Sequence, residues 1–300
     1  MKYIIGIDSG GTKTEAIVYD LAGNEQQRLN TGFGNLLVDK KQGLANIKAA
    51  ITGVLANRNL SECQLLVLGL AGIDSGGLKK FLAAELAEFQ IPFVLLNDAQ
   101  LAHYAQFKGE SGILVIAGTG SVCLGMKANT WYRVGGWGHL FGDEGSGYYI
   151  GKCAVQQALA EYDAGLAPSL LTNQLFTHFN ITNTLALVKV AYQLTKNQVA
   201  ELAKIIAEVA PCEPLAANIL TEAGHALGEE VQKTVNKMQV NNQVISIGLN
   251  GSVIEHNPYV RQAFFTYLEQ ASFIPNFIEK ETSSTKGAYY YFKKNGAINK

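Results

Sequence analysis

Apolar residues fall into short unbroken runs separated by stretches of helical period, and this alternation predicts most of the elements. Residues 3–7 form an apolar run cut off by Asp8, residues 16–19 form a second, and Gly10-Gly11 lies in the connection. Two β-like runs around a glycine pair read as a hairpin. Helical spacing continues over residues 40–57. Next come a buried strand at 64–70, a helix over 77–89, and a strand at 93–96 that ends in Asn97-Asp98 and leads into a helix reaching about 107. Strands alternating with helices imply an α/β fold with a parallel-rich sheet. At Gly112 the plan restarts, with a strand at 113–117, the turn Gly118-Thr119-Gly120-Ser121 and a strand at 122–126. Residues 145–238 read as helical, with breaks at Pro168, Pro211 and Pro214. A strand returns at 244–249 and ends in Asn250-Gly251-Ser252. Helical segments lead on from there, the last near 285–294.

The repeated opening implies two lobes. Lys-Gly-Glu-Ser at 108–111 interrupts two apolar elements and marks the boundary. The expected division is an N-terminal lobe over 1–109, completed by a C-terminal helix at 287–300, and a C-terminal lobe over 110–286.

Composition narrows the function classes. The 300 residues carry a net charge of −1 with 16% charged residues, so no basic field calls for nucleic acid or an acidic membrane. The longest apolar stretch, residues 65–73, is far short of the roughly 18–20 residues of a membrane span. The apolar run after Lys2 is too short for a signal-peptide core. Cys63, Cys123, Cys153 and Cys212 are scattered with no Cys-x-x-Cys pair, which points to neither a disulfide framework nor a zinc site. The cytoplasm is the expected compartment. The five histidines form no site by spacing: His139 reads as a structural hydrogen-bonding residue and His103 as surface or packing. Residues 224–240 hold an amphipathic helix, read as core packing and as a candidate contact of a homodimer.

The two glycine turns carry the first chemical signal. Gly6 and Gly11 have the spacing of a Gly-x-x-x-x-Gly-Lys-Ser/Thr phosphate loop, but Thr12 intervenes before Lys13 and a β-like run comes next instead of a helix. That loop type is therefore excluded, and a plain hairpin is the simplest alternative. The polar groups favour more than a hairpin. Gly10 and Gly11 let backbone N–H groups approach phosphate oxygens, Thr12 adds a hydroxyl and Lys13 a charge. Asp8, at the strand end, is placed to hold magnesium through water. Gly118, Thr119 and Gly120 repeat the arrangement, and two such hairpins could clamp a nucleotide's phosphates from opposite lobes.

Residues 6–14, Asn97-Asp98, 118–121, Gly-Gly-Trp-Gly-His at 135–139, Gly-Asp-Glu-Gly-Ser at 142–146 and Gly251-Ser252 together resemble the N-acetylglucosamine kinases of the BadF/BadG/BcrA/BcrD ATPase family. That family lies within the actin, sugar-kinase and heat-shock-chaperone ATPase superfamily. The resemblance runs from Gly6 to about Ala288, and the 135–146 block is its most specific part. It implies a two-lobed actin-like (ribonuclease H-like) fold of mixed sheets flanked by helices, with nucleotide and sugar in the interlobe cleft. It implies ATP and Mg2+ as cofactors and phosphorylation of the 6-hydroxyl of an amino sugar, most simply N-acetylglucosamine.

By the same resemblance Asp98 is the general base, against its other reading as a helix N-cap. Asn35, Ser121, Val122, Gly136, Trp137, Gly138 and Asp143 contact the sugar. Thr12 and Thr119 are the phosphate-turn contacts, Gly251 and Ser252 the adenosine motif, and Ala200 a helix position beside the nucleotide. Glucosamine and N-acetylmuramic acid are alternative acceptors. A reading from another class is an ATPase activator of an acyl-CoA dehydratase that shares an iron–sulfur cluster across a dimer. The scattered cysteines and the Trp137 block speak against it.

Overall fold

Each half of the chain starts with two apolar strands joined by a glycine turn, and each builds a five-stranded sheet around the first strand of that pair. The structure, a computed structural model, describes residues 1–74, 76–279 and 283–296. In the first half, strand β1 (Tyr3–Ser9) pairs antiparallel with β2 (Thr14–Asp20), placing Asp8 opposite Glu15 and Ser9 opposite Thr14. Strand β3 (Glu25–Thr31) extends the sheet antiparallel beyond β2. Helix α1 (Lys40–Leu55) is capped by Asp39, whose carboxylate accepts from the Lys41 and Gln42 N–H groups. Strand β4 (Cys63–Leu70) then lies parallel to β1 on its other side. Helix α2 (Leu78–Leu86) leads to β5 (Phe93–Asn97), parallel to β4, and helix α3 (Asp98–Gln106) begins directly after it. The order is β3-β2-β1-β4-β5.

The second half repeats this order. Strand β6 (Gly112–Ala117) pairs antiparallel with β7 (Ser121–Lys127), and β8 (Thr130–Gly135) adds to β7. Five helices come next: α4 (Gly147–Asp163), α5 (Leu170–Phe179), α6 (Thr184–Ala191), α7 (Lys196–Val209) and α8 (Pro214–Met238). Pro214 starts α8, where its missing N–H costs nothing. Strand β9 (Val244–Asn250) returns parallel to β6. The short helix α9 (Ser252–His256) and α10 (Pro258–Glu269) precede β10 (Ile274–Ile278), parallel to β9. The order is β10-β9-β6-β7-β8.

Three strands depart from the sequence expectation. β3, β8 and β10 are all outer strands, half-exposed, and none has the unbroken apolar run of a central strand. β1 and β2 are buried almost throughout. Pro275 sits in β10, a position tolerated at a sheet edge.

Two compact units result, one comprising Met1–Ser111 with the segment from Glu279 onward, the other Gly112–Ile278. Residues 283–286 thus pack with the first unit, whereas the sequence pattern assigned them to the second. Tyr19 Oη and Thr285 Oγ1 are 2.8 Å apart, and Gly6 is bare because any Cβ there would meet the Thr285 carbonyl. Helix α11 (Gly287–Asn295) continues this segment against α3 and β1. Residues 297–300 of the expected helix lie outside the described residues. Each unit has its own core. In the first, Ile5, Ile7, Ile47, Ile51, Leu66 and Leu68 are buried among α1, α2 and the sheet. In the second, α8 packs Leu220, Leu227, Val231 and Val235 inward. Among the described residues no helix is long and apolar enough to cross a membrane.

Candidate active site

The predicted residues divide into two groups, one in each unit. In the first unit the β1–β2 turn is closed by the Gly10 N–H donating to the Lys13 carbonyl at 3.0 Å. Gly11, Thr12 and Lys13 are exposed, and a side chain at Gly11 would meet nothing within 4 Å. The turn therefore presents an open backbone face. Lys13 Nζ lies 3.3 Å from Glu15 Oε1, which also takes Arg28 at 3.1 Å. The Gly34 N–H donates to the Gly10 carbonyl and ties the β3–α1 loop to the turn. Gly34 has no room for a Cβ because Ser9 Oγ and Thr14 Oγ1, hydrogen-bonded at 2.9 Å, fill that space. The next residue, Asn35, turns its Oδ1 back to the Leu37 N–H at 2.9 Å.

Asp8 and Asp98 share this unit at the carboxyl ends of β1 and β5. Burial, the negative charge of Asp98 and that of Glu15 push the Asp8 carboxyl up to about 6, against a hydrogen bond from Ser284. Desolvation by neighbouring protein atoms also raises the Asp98 carboxyl, although the residue keeps exposed surface. Asp98 does not cap α3. Asn97 does, accepting the Gln100 N–H at 2.7 Å while Gln100 Oε1 takes the Asn97 N–H at 3.1 Å, a reciprocal capping box. The Asn97 amide also donates to Asp74 at 2.8 Å. Helix initiation is thus satisfied by its neighbour, and the Asp98 carboxylate accepts from the adjacent Ala99 N–H.

In the second unit the β6–β7 turn is braced on three sides. The Gly118 N–H donates to the Gly120 carbonyl, and the carbonyls of Gly118 and Thr119 accept the first amides of α4, from Gly147 at 2.8 Å and Tyr148 at 3.2 Å. Gly251 has φ +105° and lies so close that a Cβ would sit 2.5 Å from the Ala117 carbonyl oxygen and 3.0 Å from the Gly118 nitrogen. Ala200 touches the same place, its carbonyl and Cβ bounding Gly147. Ser252 opens α9 beside Gly251. Gly118, Thr119, Gly120, Ala200, Gly251 and Ser252 are therefore brought together.

Asp143 joins them. It is buried, takes a left-handed backbone with φ +61°, and its Oδ2 would lie 2.7 Å from a Cβ placed on Gly120. Left-handed backbone is uncommon outside glycine. Ser121 Oγ donates to the Glu144 carbonyl at 2.7 Å, holding the same loop from the next strand. Val122 packs under Gly136, whose φ of +67° and missing Cβ allow that approach. Gly138 also has positive φ, with open space around it. Trp137 is 66% exposed, with the Arg133 guanidinium 4.7 Å above its ring, and Leu140 and Phe141 beside it in sequence are exposed too. His139 packs edge-on to Tyr148, and His103 is buried against Phe107, so both occupy packing positions.

Sequence reasoning missed two groups here. Lys196, the first residue of α7, pairs with Asp143 at 2.7 Å. Glu230 of α8 is buried beneath the Trp137 loop: a Cβ on Gly135 would collide with its Oε1, and its Oε2 has no hydrogen-bond partner. Burial, with the charges of Glu144 and Asp143, pushes Glu230 up to about 8. Neither residue stands in a motif, and only the packing of α7 and α8 brings them here. Cys123 is buried with the Thr234 hydroxyl donating to its Sγ, and burial raises its thiol. Among the described residues no three His, Cys, Asp or Glu side chains group as metal ligands.

Paired mixed sheets, each opening on a glycine hairpin, are the actin-like ATPase fold. A candidate N-acetylglucosamine kinase of Chromobacterium violaceum shares it with a TM-score of 0.76 at 22% identity, over 96% of this chain and 98% of that one. The chain belongs to the BadF/BadG/BcrA/BcrD ATPase family, whose model matches residues 5–288. It is 29% identical to an N-acetylmuramic acid/N-acetylglucosamine kinase of Clostridium acetobutylicum over 278 residues, 89% of this chain and 90% of the relative. It is 28% identical to the N-acetyl-D-glucosamine kinase of Dictyostelium discoideum over 253 residues, 78% of this chain and 79% of the relative.

Proposed function

We propose that this protein is a sugar kinase that transfers the γ-phosphoryl group of ATP to the 6-hydroxyl of N-acetylglucosamine, with Asp98 as general base. The observation that carries the reading is the release of Asp98 from helix capping. A carboxylate at a strand's carboxyl end, exposed at the surface of this unit, left out of the Asn97–Gln100 box and raised above the ordinary carboxylate range, suits acceptance of a hydroxyl proton. Phosphoryl transfer is mostly positioning and charge stabilisation. The backbone faces of the 10–12 and 118–120 turns would hold phosphate oxygens. Gly251, Ser252 and Ala200 would border the nucleoside, and Asn35, Ser121, Val122, the Gly136–Gly138 backbone, Trp137 and Asp143 would orient the sugar.

Magnesium fits the first unit, because Asp8 and Asp98 repel each other and a divalent cation would relieve that repulsion. When bound, it would supply charge neutralisation at the phosphates. Asp8 would hold it through water.

N-acetylmuramic acid is the second reading, favoured by the clostridial relative named for both sugars. A coupled ADP-release assay over N-acetylglucosamine, N-acetylmuramic acid, glucosamine, N-acetylmannosamine and glucose ranks the acceptors. Asp98→Asn is expected to keep sugar binding while kcat falls about 10²-fold or more. Near-normal turnover in that variant would remove Asp98 from the role of base.

A further inference from the structure

We propose that Lys196 is a phosphate-contacting residue, the cation that the second glycine turn brings to the terminal phosphates of a bound nucleoside triphosphate. The inference rests on the reading of the 118–120 turn as a phosphate site.

Three observations converge on Lys196. Its Nζ would lie 3.0 Å from a Cβ on Gly120, so the ammonium stands directly against the turn, in space that any side chain at 120 would occupy. It is tied at 2.7 Å to Asp143, a buried carboxylate on left-handed backbone, while the lysine side chain itself stays about one third exposed. The helix that carries it is fixed independently one turn further on, where Ala200 borders Gly147, the residue whose amide holds the Gly118 carbonyl. Helix α7 thus meets the turn itself through the charge at Lys196 and meets Gly147, which braces the turn, through Ala200.

The first turn shows what is missing without this lysine. Its own cation, Lys13, shares Glu15 with Arg28, and Ser283 also donates to that carboxylate. In the second unit one carboxylate faces one ammonium, and that ammonium has access to solvent. An ammonium has three donors, and Asp143 uses one, leaving two for phosphate oxygens. The pair also joins two roles, because the carboxylate proposed to orient the sugar is the counter-ion of the cation proposed to hold phosphate. Phosphate arriving on the turn would draw charge from Lys196 and leave Asp143 a stronger acceptor for a sugar hydroxyl.

The test compares binding of ATP, ADP and adenosine to the full chain by calorimetry, in wild type, K196M, K196Q and K196R. A charge-assisted phosphate contact predicts that K196M weakens ATP about 10–100-fold and adenosine by less than about 2-fold, with K196R recovering most of the loss. Glutamine keeps a donor for Asp143 without the charge, so K196Q decides the matter if K196M fails to fold. Equal losses for ATP and adenosine, or unchanged ATP affinity, would overturn the assignment and leave Lys196 as a counter-ion only. Wild-type protein that binds no adenine nucleotide would overturn the phosphate reading of the turn itself, and the lysine's role with it.

Discussion

The two units build one strand plan in two ways. Both sheets run outer strand, hairpin partner, central strand and then two parallel additions, and both place a glycine turn at the same corner. The first turn is loosely held: Gly11 faces open space and the local cation is neutralised by Glu15. The second is enclosed by α4 amides, by Gly251 and by the Asp143–Lys196 pair. The difference arises from the helices inserted after each set of antiparallel strands. After β3 the chain makes one α-helix before returning to the sheet, whereas after β8 it makes five, and two of those, α4 and α7, begin at the turn. Helices α4 and α7 thus brace a corner that the first unit leaves open.

This contrast can be broken at its glycines. The largest effect is expected at Gly251, whose φ of +105° is strained for any side chain and where a Cβ would lie only 2.5 Å from the Ala117 carbonyl oxygen. Gly251→Ala should destabilise the second unit by about 2–4 kcal/mol in urea unfolding. Wild-type stability in that variant would show that the bracing is dispensable.

A smaller, pH-dependent effect is expected at Glu230. Its carboxyl is pushed up to about 8 in the folded chain, from an ordinary glutamate value of about 4.5 when unfolded, so the folded state holds the proton more tightly. The stabilising contribution is complete below pH ~4.5 and is lost as pH rises through about 8. Glu230→Gln should therefore flatten the stability profile between about pH 5 and 9, with a gain on the order of 1–3 kcal/mol at the alkaline end. A parallel profile for the two proteins would mean that Glu230 is charged and satisfied in the native state.

The smallest effect belongs to the open turn. Gly11→Ala meets no atom within 4 Å and no strained φ, so its melting should match wild type within about 0.5 kcal/mol. A raised KM for ATP in that well-folded variant would sharpen the view that the bare backbone there serves the ligand. An unchanged KM would make the glycine incidental.

Most of this architecture was legible in the sequence where burial is two-sided. β1, β4 and β6 are apolar over most of their length and buried on both faces, and β9 keeps a buried apolar centre around Ile245 and Ile247. β3 escaped notice because Glu-Gln-Gln-Arg-Leu-Asn-Thr carries the polar content of an outer strand, and its pairing with β2 supplies what its composition lacks. The site divides in the same way. Asp98 and the glycine turns sit in motifs, so they could be proposed as site residues from the sequence. The N-cap reading of Asp98 could be resolved only by geometry, which gives that duty to Asn97. Lys196 reaches Asp143 across 53 residues of chain through the packing of α7, a relation that no local spacing encodes.

The return of the C-terminal segment to the first sheet has a consequence for the order of assembly. Thr285 bonds Tyr19 and crowds Gly6, and α11 lies against β1, so the first unit is completed by residues synthesised after the whole of the second unit. During translation the second unit, a continuous stretch of chain, has all its parts before the first does. The N-terminal sheet must wait with one face of its central strand uncovered, and the glycine corner at residues 10–13 reaches its final surroundings only when Ser283 arrives beside Glu15.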